Sequence, residues 1–372
     1  AKGTYRLTET ANAGYENSGF TATFTVANED HDKTFDLTKS DDRAALDWNV
    51  TQGTFNNDQG ISNDRLTGNV KMFKTSSVGA VGGLNGAVFT LQKKTDNGSW
   101  VNVVAGLETG YTYKLNSENT ALDGSGAVGD SGYILVDNLL WGTYRFLETS
   151  SSDGYVLQAG TISNEFTIDR THLTSELTGS NSVVNTPTNI VIRKQDENGK
   201  TLTGATFTVT PQEGSSFVDG STQAKQMTAV NGAYSLSAQM KVGNTYEVRE
   251  TTAPSGYVSI SGALVVTVQE DGTLSVVGDM PEGYSQSTTG PSETNKYTFI
   301  AQNTPIRLQI DKVDQNNNPL TGATFVLSGK CTDSKTYHEL VLGEGSEAWL
   351  EGQLINGESY EIYESSAPLG YK

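Results

Sequence analysis

The sequence has little of what commonly toughens or arms a protein. One cysteine, Cys331, stands among 372 residues, so no intrachain disulfide can form. It lies in GKCTD with no neighbouring pattern that would activate a nucleophile, and reads as a plain surface or semi-buried thiol. The three histidines, His31, His172 and His338, are scattered and have no paired acidic or cysteine motif. They read as solvated loop residues, so no metal site and no cofactor is expected. No run is long and apolar enough to cross a membrane, and no secretory signal opens the chain. Basic residues number 25 against 43 acidic, for a formal net charge of −18. Such a surface repels nucleic acid and anionic membranes. Helical periodicity is weak, with a short helix around residues 39–46 as the one candidate. No glycine-rich phosphate loop or hydrolase triad is present. The acidic turn at 314–318 lacks the glycine and glutamate of a calcium loop; Phe325 stands at the twelfth position.

What is present is glycine, at 40 residues, with abundant Thr, Ser and Asn. That mix suits short strands joined by turns, and the length allows two to four domains. Residues 20–26, 99–104, 132–136 and 263–268 read as strands, and 196–199 and 314–319 as turns. The Gly/Ser/Ala-rich segment 116–130 reads as a loop. Trp48, Trp100, Trp141 and Trp349 read as core or edge packing rather than a glycan platform.

One stretch occurs four times: GTYRLTET at 3–10, GTYRFLET at 142–149, GNTYEVRET at 243–251 and GESYEIYES at 357–365. Each alternates as a strand with one buried face. On that face Tyr5 and Leu7 lie with Glu9, Tyr144 and Phe146 with Glu148, Tyr246 and Val248 with Glu250, and Tyr360 and Ile362 with Glu364. A glutamate thus stands where a core residue is expected, and it needs a partner or a proton. A second motif is an apolar strand ending in lysine and followed by GAxF. Its copies are VKMFK with GAVF (70–74, 86–89), IVIRK with GATF (190–194, 204–207) and LQIDK with GATF (308–312, 322–325). Parity aims Lys74, Lys194 and Lys312 into a core and leaves Lys71 solvated. A third motif, VVNTP (183–187) and AQNTP (301–305), places Asn185 and Asn303 on the inward face; ISND at 61–64 is a weaker copy.

Order and spacing define four segments: 69–187 and 188–305 as complete repeats, 1–68 without a lysine strand, and 306–372 without an asparagine strand. The end segments are expected to be parts of further repeats in a longer polypeptide. Head-to-tail completion between molecules is disfavoured, because both carry a glutamate strand.

A buried lysine tends to lose its proton, and a buried glutamate tends to keep one. A neutral amine is a nucleophile, a protonated carboxyl shuttles protons, and a carboxamide supplies an electrophilic carbon. Lysine, glutamate and asparagine in one core could therefore condense to an isopeptide with loss of ammonia, shielded in the 69–187 segment by Tyr144, Phe146 and Phe89. The alternative is a buried Lys–Glu ion pair beside a structural asparagine.

Taken together, the motifs resemble the B-type repeats of the collagen adhesin and the related pilin modules of Gram-positive bacteria. TTAPSGY (251–257) and SSAPLGY (365–371) match closely, while 11–15 and 150–155 lack the proline. The resemblance covers almost the whole chain. It implies an all-β fold of tandem transthyretin-like (prealbumin-like, Ig-like) sandwiches displayed outside the cell. It also implies self-formed Lys–Asn bonds in the sets Lys74/Glu148/Asn185 and Lys194/Glu250/Asn303, with the glutamates as proton shuttles. Glu9, Asn63, Lys312 and Glu364 belong to incomplete sets. Asn63 departs from the pattern, being followed by Asp and lying farther from the motif lysine Lys74 than Asn185 lies from Lys194 or Asn303 from Lys312. Sortase-recognition and Tyr-Pro-Lys pilin marks are absent. The expected role is a stalk or shaft section of a surface adhesin or pilus-like fibre, partnered by neighbouring repeats. It is not an enzyme beyond a single self-directed turnover. The alternatives are an adhesin module gripping a host matrix protein or glycan through 116–130 or exposed aromatics, and an appended module of a secreted glycan-degrading enzyme.

Overall fold

The structure, a computed structural model, describes the chain except residues 11–12, 17, 31, 57–58, 79–81, 129–130, 158–160, 289–294 and 342–346; for 124–128 and 347–349 it describes the backbone. His31, the Trp349 side chain and the end of the 116–130 segment lie outside the described residues. The chain divides into two compact units, residues 1–152 with 157–186, and 153–156 with 187–372. Among the described residues no helix is long and apolar enough to cross a membrane.

In the second unit, residues 188–305 build two sheets. One runs Thr228–Val230, Ala233–Ser237, Asn189–Asp196, Thr298–Asn303, Tyr284–Gln286. The other runs Lys225–Gln226, Thr206–Pro211, Thr245–Thr252, Leu264–Val268, Leu274–Val276. Their inner faces alternate as the sequence does. Ile190, Ile192 and Lys194 point in from the lysine strand, Tyr246, Val248 and Glu250 from the glutamate strand. The core between them gathers Phe207, Phe217, Tyr246, Val266 and Phe299, all at most 1% exposed. The lysine strand and the asparagine strand are parallel neighbours in one sheet, and the glutamate strand belongs to the other. The polar set is therefore assembled across the sandwich, from residues far apart in sequence.

Within the first unit, residues 67–186 repeat the plan. A five-stranded sheet runs Leu122–Val128, Tyr111–Leu115, Tyr133–Leu140, Thr67–Phe73, Thr174–Leu177. A four-stranded sheet runs Phe166–Ile168, Gly142–Ser150, Val88–Lys94, Trp100–Glu108. The strand Val184–Pro187 lies parallel to Thr75–Ser76, just after Lys74, with Asn185 opposite Ser76. Residues 122–128, expected as loop, form an edge strand antiparallel to Tyr111–Leu115. Low β-propensity is tolerated at an edge, where one side of the strand is unpaired and the ladder register shifts twice. The helix expected around 39–46 is present as Ser40–Ala45. Lys71 lies over the Tyr133 ring, 4.0 Å from its centroid, rather than standing free in solvent.

The end segments depart from the expected burial. Residues 1–68 contain a three-stranded sheet, Gly3–Thr8, Thr21–Val26, Asn49–Gln52. Phe20 is buried against Trp48 and Phe55, yet Tyr5 and Leu7 are each 39% exposed. In residues 306–372 the lysine strand Arg307–Asp311 pairs only with Glu347–Glu351 among the described residues. Ile362 is 44% exposed, and Lys312 and Glu364 are half-buried. The cause is common: a sandwich buries an inner face only where the opposing sheet covers it. Cys331, expected at or near the surface, is 2% exposed within a small core of Ala323, Leu327, Leu340 and Leu350. His338, expected to be solvated and unpaired, sits within hydrogen-bond distance of Asp333.

Candidate functional site

Three of the four glutamate strands, those of Glu148, Glu250 and Glu364, are fixed against their neighbours in the same way. Phe89 of GAVF stands opposite Glu148, Phe207 of GATF opposite Glu250, and Phe325 of GATF opposite Glu364. Immediately after each glutamate the register slips by one residue. The bulged residue turns its hydroxyl back onto the partner strand. Thr149 donates to the Val88 carbonyl (3.1 Å), Thr251 to Thr206 (3.2 Å) and Ser365 to Thr324 (3.2 Å). A bulge re-aims the side chain beside it and leaves a carbonyl to satisfy, which explains why Glu is followed by Thr or Ser in this motif.

The lysines are pinned through their backbones. Lys74 N–H donates to Gly132 and Lys194 N–H to Gly232, while Leu84, Leu202 and Leu320 donate to the carbonyls of Lys74, Lys194 and Lys312. Gly132 has φ +76° and its missing Cβ would fall on the Gly83 backbone, so no larger residue fits there.

At the ends of these elements three polar side chains meet in each complete set. Lys74 and Asn185 are fully buried and Glu148 nearly so. Lys74 Nζ lies 3.7 Å from Glu148 Oε1 and donates to the Val183 carbonyl at 3.3 Å. Asn185 Nδ2 donates to Glu148 Oε2 at 2.8 Å. The second set matches. Lys194 Nζ is 3.7 Å from Glu250 Oε1 and donates to the Ala301 carbonyl at 2.9 Å. Asn303 Nδ2 donates to Glu250 Oε2 at 2.9 Å and to the Val258 carbonyl at 2.6 Å. Ile260 N–H also donates to Glu250 Oε2, at 2.9 Å. In both sets one carboxyl oxygen faces the amine and the other faces the carboxamide nitrogen.

The incomplete sets hold pairs. Asn63 Nδ2 donates to Glu9, and Ser18 donates to the other Glu9 oxygen at 2.8 Å. Lys312 Nζ donates to Glu364 at 3.0 Å. The weak motif copy at 61–64 thus brings its asparagine to a glutamate as the strong copies do.

Burial dominates the electrostatics. Desolvation holds the Lys74 and Lys194 amines down to about 8, against the opposing pull of their glutamates. It pushes the Glu148 carboxyl up, with Lys74 and Asn185 pulling the other way. Both shifts lower the cost of passing a proton from ammonium to carboxylate. As an ion pair the unreacted set is a poor stabiliser: the contact exceeds hydrogen-bond length, and Glu148 Oε1, Glu250 Oε1, Asn185 Oδ1 and Asn303 Oδ1 have no hydrogen-bond partner among the described residues.

A pH profile follows. In Asn185→Ala, Lys74 keeps Glu148 beside it but can form no bond to residue 185. Below about 8 folded and unfolded chains both hold the amine proton, and the burial penalty is fully present. Between about 8 and the ordinary lysine value of 10.5 only the unfolded chain holds it, so stability rises with pH. Glu148 acts at the acid end: its raised folded pKa makes stability greatest below about 4.5 and diminishes it as pH rises through the folded value. Urea titrations of Asn185→Ala should therefore show a rise in midpoint above pH 8 that Asn185→Ala/Lys74→Met lacks. Parallel profiles would mean that Lys74 titrates normally.

A family model described as SpaA: Prealbumin-like fold domain matches residues 68–183, 188–282 and 306–372. Solved structures that resemble the chain include the Bacillus anthracis TIE protein, at 19% identity over 99% of this chain and 55% of that one, with a TM-score of 0.33. A C-terminal fragment of pilus adhesin SpaC from Lactobacillus rhamnosus GG is 19% identical over 64% of this chain and 98% of its own, with a TM-score of 0.31. BcpA, the major pilin subunit of Bacillus cereus, is 16% identical over 81% and 88%, with a TM-score of 0.24. No curated protein sequence matches. The chain spans little more than half of the TIE protein, and the fold assignment rests on the family matches. They bear out the expectation of an all-β chain of tandem prealbumin-like sandwiches.

Proposed function

The chain belongs to the SpaA prealbumin-like fold domain family, and on that premise we propose that it is a tension-bearing spacer of a Gram-positive surface adhesin or pilus-like fibre, cross-linked internally by Lys74–Asn185 and Lys194–Asn303 isopeptides. The observation that carries this reading is the glutamate set between an amine and a carboxamide, twice, in the same geometry. The condensation balances within the set. Lys74 Nζ attacks Asn185 Cγ as a neutral amine. Its surplus proton passes to Glu148 Oε1, and the Oε2 side returns a proton to Nδ2, which departs as ammonia. The carboxyl ends as it began, the C–N bond to Nδ2 is broken, and one C–N bond to Nζ is formed. The apolar walls, among them Phe89, Phe146 and Tyr144 at 0% exposure, keep water from competing. The same steps apply to Lys194, Glu250 and Asn303. Each set turns over once.

The mechanical consequence comes from topology. Asn189–Asp196 and Thr298–Asn303 are parallel, with Lys194 opposite Ala301 and Asp196 opposite Asn303. Tension entering along the first strand crosses the bond at Lys194 and leaves from Asn303, so the residues between them stay out of the load path. Under single-molecule stretching, the segments closed by the bonds should contribute no unfolding step. Asn303→Ala should add a step of about 350–400 Å, the extended length of roughly 110 residues. A step of that length in the unmodified chain would overturn the spacer reading. The other reading, an adhesin module for a host protein or glycan, predicts saturable binding on matrix-protein and glycan arrays; a spacer leaves them blank.

A further inference from the structure

Away from both sets, residues 331–338 bring together three side chains of metal-ligating chemistry. Cys331 Sγ, a carboxylate oxygen of Asp333 and a ring nitrogen of His338 all lie within 4.8 Å of one another. We propose that Cys331, Asp333 and His338 form a binding site for a single borderline-soft divalent cation of the zinc type.

The fold holds the donors in place. Cys331 and Asp333 sit on a tight turn closed by Ser334 N–H to Cys331 O and Cys331 N–H to Lys335 O, both 3.1 Å. His338 lies on the strand that follows, Tyr337–Val341, whose residues pair with Thr324–Ser328, His338 opposite Leu327. Asp333 Oδ1 is 3.3 Å from His338 Nε2 and also accepts the Lys335 N–H at 3.1 Å. A separation of about 3.3 Å is what two ligands near 2.0 Å from a tetrahedral ion require. Cys331 is 2% exposed, and its thiol makes a long contact, 3.7 Å to the Gly329 carbonyl. It is thus a buried soft donor aimed at a carboxylate and an imidazole, with weak use for its proton. The other Asp333 oxygen has Lys335 Nζ at 3.9 Å, but that lysine side chain is 69% exposed and free to swing away.

Sulfur selects against calcium and magnesium, and a mixed S/N/O set suits zinc. Three protein ligands leave a fourth position for water. Binding replaces the S–H bond by a metal–sulfur bond and releases that proton to solvent. Because the ligating form is the thiolate, affinity climbs with pH. A bound ion would tie the turn to its strand and fix the part of the small core that contains Cys331.

The test uses the full chain with Co²⁺ and Zn²⁺ alone. Co²⁺ should saturate at one per chain with a thiolate-to-cobalt absorption band, and Zn²⁺ should displace it. Cys331→Ser should abolish the band. His338→Ala and Asp333→Asn, each checked for unchanged circular dichroism, should weaken Zn²⁺ binding at least about tenfold. No band in the unmodified chain overturns the site, as does Zn²⁺ affinity left unchanged by His338→Ala and Asp333→Asn.

Discussion

The purified chain should weigh about 34 Da less than its sequence requires, two ammonia molecules lost in two condensations. Lys74→Ala and Asn185→Ala should each leave a deficit of about 17 Da, from the other set alone, and Lys74→Ala/Lys194→Ala none. The stability change should be as large as any single covalent link provides. Each bond closes a loop of more than a hundred residues, and by analogy with disulfides it stabilises through the unfolded chain by about 4–5 kcal/mol. For a domain of this size that is a fall of about 15–20 °C in melting temperature when the bond is removed. The transition of 69–187 should move in Asn185→Ala and that of 188–305 in Asn303→Ala, so calorimetry assigns each bond to its domain. Reducing agent should change nothing, because Cys331 is the only thiol. A wild-type mass equal to the unmodified sequence would sink the proposal and leave two buried ion pairs.

The geometry of the sets was legible in the sequence because period-two alternation is a strict rule in a two-faced sheet. Lys74 shares parity with Val70 and Met72, and all three are fully buried. Repetition then supplied what parity cannot, namely which distant strands share a core. The same rule misled at the ends. Tyr5, Leu7 and Ile362 have inward parity, but parity selects a face and does not guarantee a covering sheet. The bulge after Glu148, Glu250 and Glu364 is not legible in the sequence, although its trace is the Thr or Ser next to each of them. Composition misread residues 122–128 as loop because glycine, serine and alanine are poor strand formers away from an edge. The juxtaposition of Cys331, Asp333 and His338 is not legible in the sequence, because no standard motif has their spacing. A turn followed by a strand closes it, through a hairpin that local sequence does not announce.

The glutamates should prove the most sensitive positions of all, because one substitution removes both a proton carrier and a buried counter-charge. Glu148→Ala should restore about 17 Da of mass, since Lys74 and Asn185 remain but nothing accepts the amine proton or delivers one to the departing nitrogen. It also leaves Lys74 buried without its partner, a change that costs about 3–5 kcal/mol where a buried pair is broken from one side. Added to the lost bond, the total approaches the whole stability of an ordinary domain, about 5–15 kcal/mol. Residues 69–187 should then unfold near room temperature or become protease-sensitive, while 188–305 keeps its bond and its melting transition. Glu148→Gln separates the two effects. It keeps side-chain volume and a hydrogen-bonding oxygen for Asn185 yet cannot carry the proton, so it should fold better than Glu148→Ala and still remain unlinked. Adding Lys74→Met to Glu148→Ala removes the orphaned charge and should recover most of the 3–5 kcal/mol without restoring the bond. A Glu148→Gln chain that reaches the wild-type mass would show that the carboxyl only positions its neighbours, and the proton route through Oε1 and Oε2 would have to be abandoned.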